Sequence, residues 1–393
     1  MNKFTLLILL AGLFPAFAIE IPEADGSDGV LNPSVNLQID TRLAATTNWY
    51  LASPASGDGI YDPVKRVVVY KYTSVNIPTN VTMSFIANET SAPIVWLVDG
   101  DVTINGTLNL SASGSTAGAG GFVARPVNRN TMVGGSGYGG GTGIEVEARH
   151  HEESSSGSLG DARAYGNATL IPLYGGSNGG ARSFSGSPGG GGGAILIAAT
   201  GSITLEGSIT AKGVGSGGFS DKVPGSGGAV RLVSEKLSGS GTIDVRGTNV
   251  SGKGRIRLEA KTDISFFDVY FSTAGPRVSK AVADDRPVTV QPDTFPSCTI
   301  LSVDSAQAPT DPLASLTTPD IQVPTSTNVT VEIEVRNAEP TTSTVELRIC
   351  PGPSAVQFFP AIFVSGDINQ SLWEVQFAFP SGVSRLQAQL STR

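Results

Sequence analysis

The sequence predicts an all-β protein: a parallel β-helix followed by an antiparallel β-sandwich. Three observations carry this prediction. A three-strand unit recurs through the middle of the chain with its glycines in register, the composition favours strands and turns over helices, and after residue 273 the repeat gives way to strands at hairpin spacing. Of 393 residues, 49 are Gly and 24 are Pro, and only 15% are charged. A mean hydropathy of +0.06 with 39% hydrophobic residues is too apolar for a disordered chain. The wealth of Gly, Ser and Thr argues equally against a helical or dinucleotide-binding enzyme.

Residues 1–18 read as an export signal. Lys3 supplies the positive start, Phe4 to Phe14 is almost wholly apolar, and Ala16-Phe17-Ala18 gives the small-x-small pattern cut by signal peptidase. The apolar run is too short to cross a hydrocarbon core of about 30 Å. No later run resembles a membrane span, so an exported, soluble protein without membrane insertion is expected. A net charge of −8, with few lysines, argues against nucleic acid and anionic membranes as partners.

Residues 19–66 are mixed and contain the run Asp25-Gly-Ser-Asp-Gly29. They are expected to cap the first end of the solenoid, whose core and edge would otherwise be open. The solenoid is placed at residues 67–273. Its earliest turn is Val67–Tyr70, Val75–Ile77 and Val81–Phe85. The stretch Ile94–Leu110 (IVWLVDGDVTINGTLNL) then matches Ile195–Ala211 (ILIAATGSITLEGSITA) without a gap, setting Gly100 and Gly106 against Gly201 and Gly207. Ala229–Val245 repeats the pattern 34 positions later, and Arg255–Phe266 is a partial fourth copy. Each copy is three short strands parted by turn residues. A unit of about 20 residues cannot bury its own apolar face and must stack on its copies, about 4.8 Å apart. Residues 113–193 interrupt the repeat with Gly/Ser-rich sequence, read either as a flexible excursion or as an ordered path along the flank.

Residues 274–393 lack the repeat. Strand candidates at Ser297–Val303, Asn328–Val335, Thr344–Ile349, Phe358–Phe363, Trp373–Phe379 and Val383–Leu390 read as a sandwich of immunoglobulin type. In an oxidising compartment Cys298 and Cys350 read as one disulfide, with two buried thiols as the alternative.

Several stretches together resemble a widespread class of secreted bacterial β-helix proteins. They are Gly26-Ser27-Asp28-Gly29 with Asn32-Pro33, the run SVNIPTNVTMSF at Ser74–Phe85, DVTINGTLNL, the block GGGGGAILIAATGSITLEGSI, and FPSGVSRLQAQLST at Phe379–Thr392. The resemblance implies a right-handed parallel β-helix of pectate-lyase-like shape with an immunoglobulin-like C-terminal module. It implies adhesin-like or envelope-associated roles, and no defined activity.

The β-helix also serves as a scaffold for polysaccharide lyases and hydrolases, which need facing carboxylates, or calcium-binding acids with a basic residue. The weak candidates here are Asp99 and Asp101, which flank Gly100 at a turn, and Arg255 and Arg257 on one side of a strand. The blander readings are a turn aspartate bonding its own backbone and a solvated strand face. His150 and His151 beside Glu152 and Glu153 read as a loop charge patch, and Asp284-Asp285-Arg286 lies outside the repeat. No phosphate loop, calcium nonapeptide, cofactor motif or metal set is recognisable. Eight Asn-x-Ser/Thr sequons occur, among them Asn80 and Asn105, and since Asn-Gly-Thr is itself a good turn most of them need no glycan to explain them.

The function expected is therefore that of a secreted or cell-surface structural and adhesive protein. Its expected partner is an extracellular polysaccharide or a cell-envelope component. The alternative is a polysaccharide-degrading enzyme, lyase or glycoside hydrolase, on the same scaffold. A third reading, an ice- or mineral-binding Thr array, finds its threonines scattered along the chain.

Overall fold

A computed structural model of the chain describes residues 19–122, 168–178, 189–214, 225–247, 253–269, 277–283, 286–292, 294–309, 319–323, 328–351 and 357–392. Its described residues are strands joined by turns, and the first fourteen strands form one mostly parallel sheet. β1 (Gly29–Leu31) and β2 (Leu37–Asp40) lead to a single 3-10 turn and to the short β3 (Ala45–Thr46) and β4 (Ile60–Asp62). The next pass is β5 (Val67–Ile77) and β6 (Thr82–Ile86), and the one after is β7 (Ile94–Val98), β8 (Val102–Ile104) and β9 (Thr107–Asn109). β10 (Ala194–Leu205) with β11 (Ser208–Thr210), then β12 (Ala229–Asp244), β13 (Arg255–Val269) and β14 (Arg277–Val282) complete the stack.

The pairing follows the repeat read from the sequence. Ile195 sits on Ile94, Ile203 on Val102 and Ile209 on Leu108, so a constant offset of 101 residues holds through all three segments of the pass. Between β10 and β12 the offset of 34 holds for the second and third segments. In the first segment it is one residue larger, because Ala194 pairs with Ala229, and the register shifts between Ala199 and Ser202. β12 has one residue fewer than β10 between its first two segments, and β10 absorbs the difference as a bulge at residues 200–201.

Alternate residues of every segment face one common core. Tyr70, Trp96, Ile197 and Leu258 come from the first segment, Val102, Ile203 and Leu237 from the second, and Leu108, Ile209 and Ile243 from the third. The first segment is also buried on its other face. Val69, Val95, Leu97, Leu196 and Val233 lie under Ile21, Trp49, Ile60, Leu173, Val288 and Val290. Parallel strands covered on both sides read as continuous apolar runs, which is why β7 is IVWLV while β8 and β9 alternate.

Glycine makes the return to each first segment. Gly193 and Gly228 immediately precede β10 and β12, and a Cβ on Gly228 would stand 1.9 Å from the Gly193 carbonyl oxygen. A Cβ on Gly191 would stand 1.8 Å from the Gly176 oxygen, and one on Gly118 would stand 1.7 Å from the Leu110 oxygen. Backbone bonds knit these segments together: Gly118 N–H to Gly191 O at 3.0 Å, Gly176 N–H to Gly192 O at 2.7 Å, and Gly192 N–H to Ser226 O at 2.9 Å. Both ends of the Gly/Ser-rich stretch 113–193, and its described part at 168–178, therefore belong to a close-packed glycine layer. Here glycine is needed because backbone meets backbone.

Residues 19–66 bring β1 and β2 into the same parallel sheet, β1 on β5 and β2 on β6. The stack likewise extends past residue 273, since β14 pairs in parallel with β13. The chain then turns back along the covered face. The Ala283 N–H bonds Ala260 O, Thr289 O accepts from Arg231, and Val288 N–H bonds Glu20 O. Gln291 accepts from Leu173 N–H, and Pro292 O accepts from Lys65, which precedes β5. This strap runs from the last passes toward the first ones.

The C-terminal strands are β15 (Ser297–Val303), β16 (Ala306–Gln307), β17 (Val329–Arg336), β18 (Ser343–Pro351), β19 (Gln357–Pro360), β20 (Ile362–Gly366), β21 (Gln370–Phe377) and β22 (Ser384–Thr392). They form two antiparallel sheets, β16-β15-β17-β21-β20 and β19-β18-β22. The two sheets share one core that includes Val331, Ile333, Leu347, Ile349, Trp373 and Phe377. The single strand expected at Phe358–Phe363 is two strands, because the chain passes from one sheet to the other at Ala361, just after Pro360.

Candidate ligand-binding face

The four residues singled out for chemistry are not brought together. Asp99 and Asp101 stand exposed at the turn between β7 and β8. The Asp101 carboxylate accepts the Ser202 N–H of the next pass at 2.7 Å, and a Cβ on Gly201 would strike that carboxylate at 2.2 Å. Asp101 is thus a cap that ties two passes, with glycine opposite to admit it. Arg255 and Arg257 lie in β13, three strand steps from β7, which is about 14 Å at the usual strand spacing.

They also occupy the covered side of the first segment. Arg257 is 3.3 Å from Glu259, and the nearly buried Arg231 donates to the same carboxylate at 2.8 Å and to Thr289 O at 2.6 Å. Arg231 therefore holds down the strap, and Arg257 shares its Glu259 partner. Asp28, of the Asp25–Gly29 run, is a second internal anchor. Its buried carboxylate accepts from Lys71 N–H, Ser53 Oγ and Gly57 N–H at 2.6, 2.8 and 3.0 Å, which commits it to the fold.

His150, His151, Asp284 and Asp285 lie outside the described residues. Among the described residues, no group of three His, Cys, Asp or Glu side chains could hold a metal ion. Cys298 is a free thiol, so the structure does not carry the bridge to Cys350 expected from the sequence. Burial pushes the Cys298 thiol up to about 12, which leaves it protonated and unreactive at neutral pH. Cys350 lies in β18, and its side chain is outside the described residues.

The stack instead presents ordered polar rows on the outer side of its second and third segments. In the third, Thr82, Thr107, Ser208 and Thr242 stand in register, and beside them Gln38, Ser84, Asn109, Thr210 and Asp244 do the same. In the second, Asn76, Thr103, Thr204, Ser238 and Ser265 form another row. Neighbours along a row hold one another. Ser208 Oγ donates to Thr107 Oγ1 at 3.1 Å, Thr210 Oγ1 donates to Asn109 Oδ1 at 2.9 Å, and the Thr204 and Ser238 hydroxyls are 3.3 Å apart.

The third-segment rows are neutral except at their last passes, where Asp268 pairs with Thr242 and Asp244 ends the neighbouring row. Burial pushes the Asp244 carboxyl up, but hydrogen bonds from Arg246 at 2.6 and 2.8 Å outweigh this and hold it below the usual range. The pair stays ionised and mutually neutralised.

The rows contradict the reading of scattered threonines. Their signal was present as Thr82-Met-Ser84, Thr107-Leu-Asn109, Ser208-Ile-Thr210 and Thr242-Ile-Asp244, a polar-apolar-polar triplet in each third segment. It was missed because partners lie up to 101 residues apart in the chain. Beyond the chain itself, comparison with protein-family models, with curated proteins and with solved structures finds no match.

Proposed function

We propose that this chain is an exported structural and adhesive protein of the cell exterior that binds extracellular polysaccharide through its polar rows. In this reading the parallel stack is a right-handed β-helix serving as a stiff spacer, and the C-terminal sheets are an immunoglobulin-like module serving as a tether. The observation that carries it is the in-register array of hydroxyl and amide groups, repeated at about 4.8 Å along the stack. Lateral hydrogen bonds already fix these side chains, so little rotamer freedom remains to be lost on binding. A neutral, hydroxyl-rich polymer matches such a face in polarity and in having a periodic outline.

The test is co-sedimentation of the full chain with insoluble neutral glucans and chitin. Retention is expected, and the double substitution Ser208→Arg, Thr210→Arg on β11 is expected to weaken it about tenfold. Undiminished retention of the folded double variant, or no retention of the parent, would rule the polar rows out as the binding face.

A further inference from the structure

Three polar atoms stand together in the core of the stack with no hydrogen-bond partner among the described residues: Tyr70 Oη, Tyr72 Oη and Trp96 Nε1. All three side chains are fully buried. Tyr70 and Tyr72 point inward from β5 with their rings 5.9 Å apart and within 7° of parallel. Trp96 of β7 is in register with Tyr70 and meets the Tyr72 ring edge-on at 5.7 Å. In later passes the residues in register with this pair are Ile197, Leu232 and Leu258, which bring no polar atom. The side chains packed around the three rings, Met83 and Phe85 among them, are apolar. A buried hydroxyl or indole N–H without a hydrogen bond is costly, and three in one cluster require a partner.

We propose that one internal water molecule binds here and bridges both hydroxyls and the indole N–H. The two tyrosines leave one strand on the same side, and their ring spacing is too long for one hydroxyl to reach the other. It fits instead the span of two hydrogen bonds of about 2.8 Å through one shared atom. Three bonds are also what a buried water typically makes. The indole can only donate, so a water accepts from Trp96, accepts from one phenol and donates to the other. Chemistry selects water over an ion. Burial pushes both hydroxyls above the ordinary phenol value, so they stay protonated, and the apolar lining offers no counter-charge. The water ties β5 to β7 at the end of the core where residues 19–66 join the sheet.

High-resolution crystallography of the full chain tests this directly. Density for a water within about 3.2 Å of at least two of the three atoms is expected. Its absence, or a protein group bonded to the hydroxyls in its place, would overturn the proposal. Substitution gives an independent reading through a thermal melt followed by a probe in the stack. Tyr72→Phe and Tyr70→Phe are each expected to lower the midpoint by about 3 °C, because the water loses a partner. The double variant is expected to lose less than the sum, since both hydroxyls act on one water. A midpoint unchanged or raised by either substitution would reveal a hydroxyl that had no partner to lose. Strictly additive losses would reveal two independent sites, and either result sinks the shared water.

Discussion

The parallel stack and the C-terminal pair of sheets use the same strand-forming residues but hide them differently. β7 is buried at every position, whereas β17 alternates buried and half-buried along Val329–Val335. The stack encloses one core and lays a second beneath the strap and the N-terminal residues. The C-terminal sheets share a single core between them. The stack therefore depends on irregular segments that no strand pattern announces, and the C-terminal module depends mainly on its own strands. With separate cores, the two regions are expected to respond separately to substitution.

The largest expected effect breaks the symmetry at glycine. Gly228→Ala forces a Cβ to within 1.9 Å of a backbone oxygen in the glycine layer, where both chains are buried. Overpacking of this kind is expected to cost the stack roughly 3–5 kcal/mol. Gly382→Ala in the C-terminal module meets nothing within 4 Å and carries only the strain of φ +98, at about 1 kcal/mol. Denaturant titrations followed by two local probes, one per region, check both numbers. Equal losses would erase the contrast.

A smaller effect separates the strap from the strands. Glu259→Gln removes the carboxylate shared by Arg231 and Arg257, leaving a nearly buried guanidinium uncompensated, and is expected to destabilise the stack by about 3 kcal/mol. Amide exchange of residues 286–292 should accelerate along with it. Unchanged exchange there would show that the strap is held by its apolar contacts alone.

The smallest effect is on pH. At Asp25, burial pushes the carboxyl up, but hydrogen bonds from Ser27 and the Lys71 ammonium at 3.3 Å hold it below its usual value, and Asp244 behaves alike. Carboxylates depressed on folding contribute stability that is complete above about pH 4 and lost as pH falls through the lower folded value. In the C-terminal module, hydrogen bonds from Arg336 lower Glu334, and backbone hydrogen bonds from Asn369 and Gln370 lower Asp367. Asp367 is open to solvent, while the Glu334 side chain is 15% exposed, between Asp244 at 10% and Asp25 at 35%. Thermal melts from pH 6 to pH 2 should show both regions weakening, with added salt flattening most the part carried by the exposed Asp367. An unchanged trend in the Asp367→Asn variant would mean that Asp367 carries none of it.

What was legible in the sequence follows from this division. The register of β10 on β7 was readable across some eighty intervening residues, because inward positions at Ile94, Trp96, Val102 and Leu108 must meet their like at Ile195, Ile197, Ile203 and Ile209. The bulge in β10 opposite β12 was not readable, since one residue more or less leaves composition unchanged. Nor was the cover over the first segment. Ile21, Trp49, Leu173 and Val290 are single apolar residues in irregular chain and have no periodicity to betray them. Arg255 and Arg257 looked solvent-facing because a strand's alternation does not say whether its outer side is covered. Asp101 looked like an isolated turn acid because its partner, Ser202, is 101 residues away.

The backward course of the strap has a mechanical consequence. Tension drawn on the C-terminal sheets reaches the stack at Pro292, Gln291 and Thr289, whose anchors Lys65, Leu173 and Arg231 belong to widely separated stretches of the chain. A pull is thus delivered at three separate places in the stack, one of them in β12, before it reaches β14, the strand nearest in sequence. A protein fixed at its sheets and loaded along the stack would yield by losing the strap before unzipping a single turn.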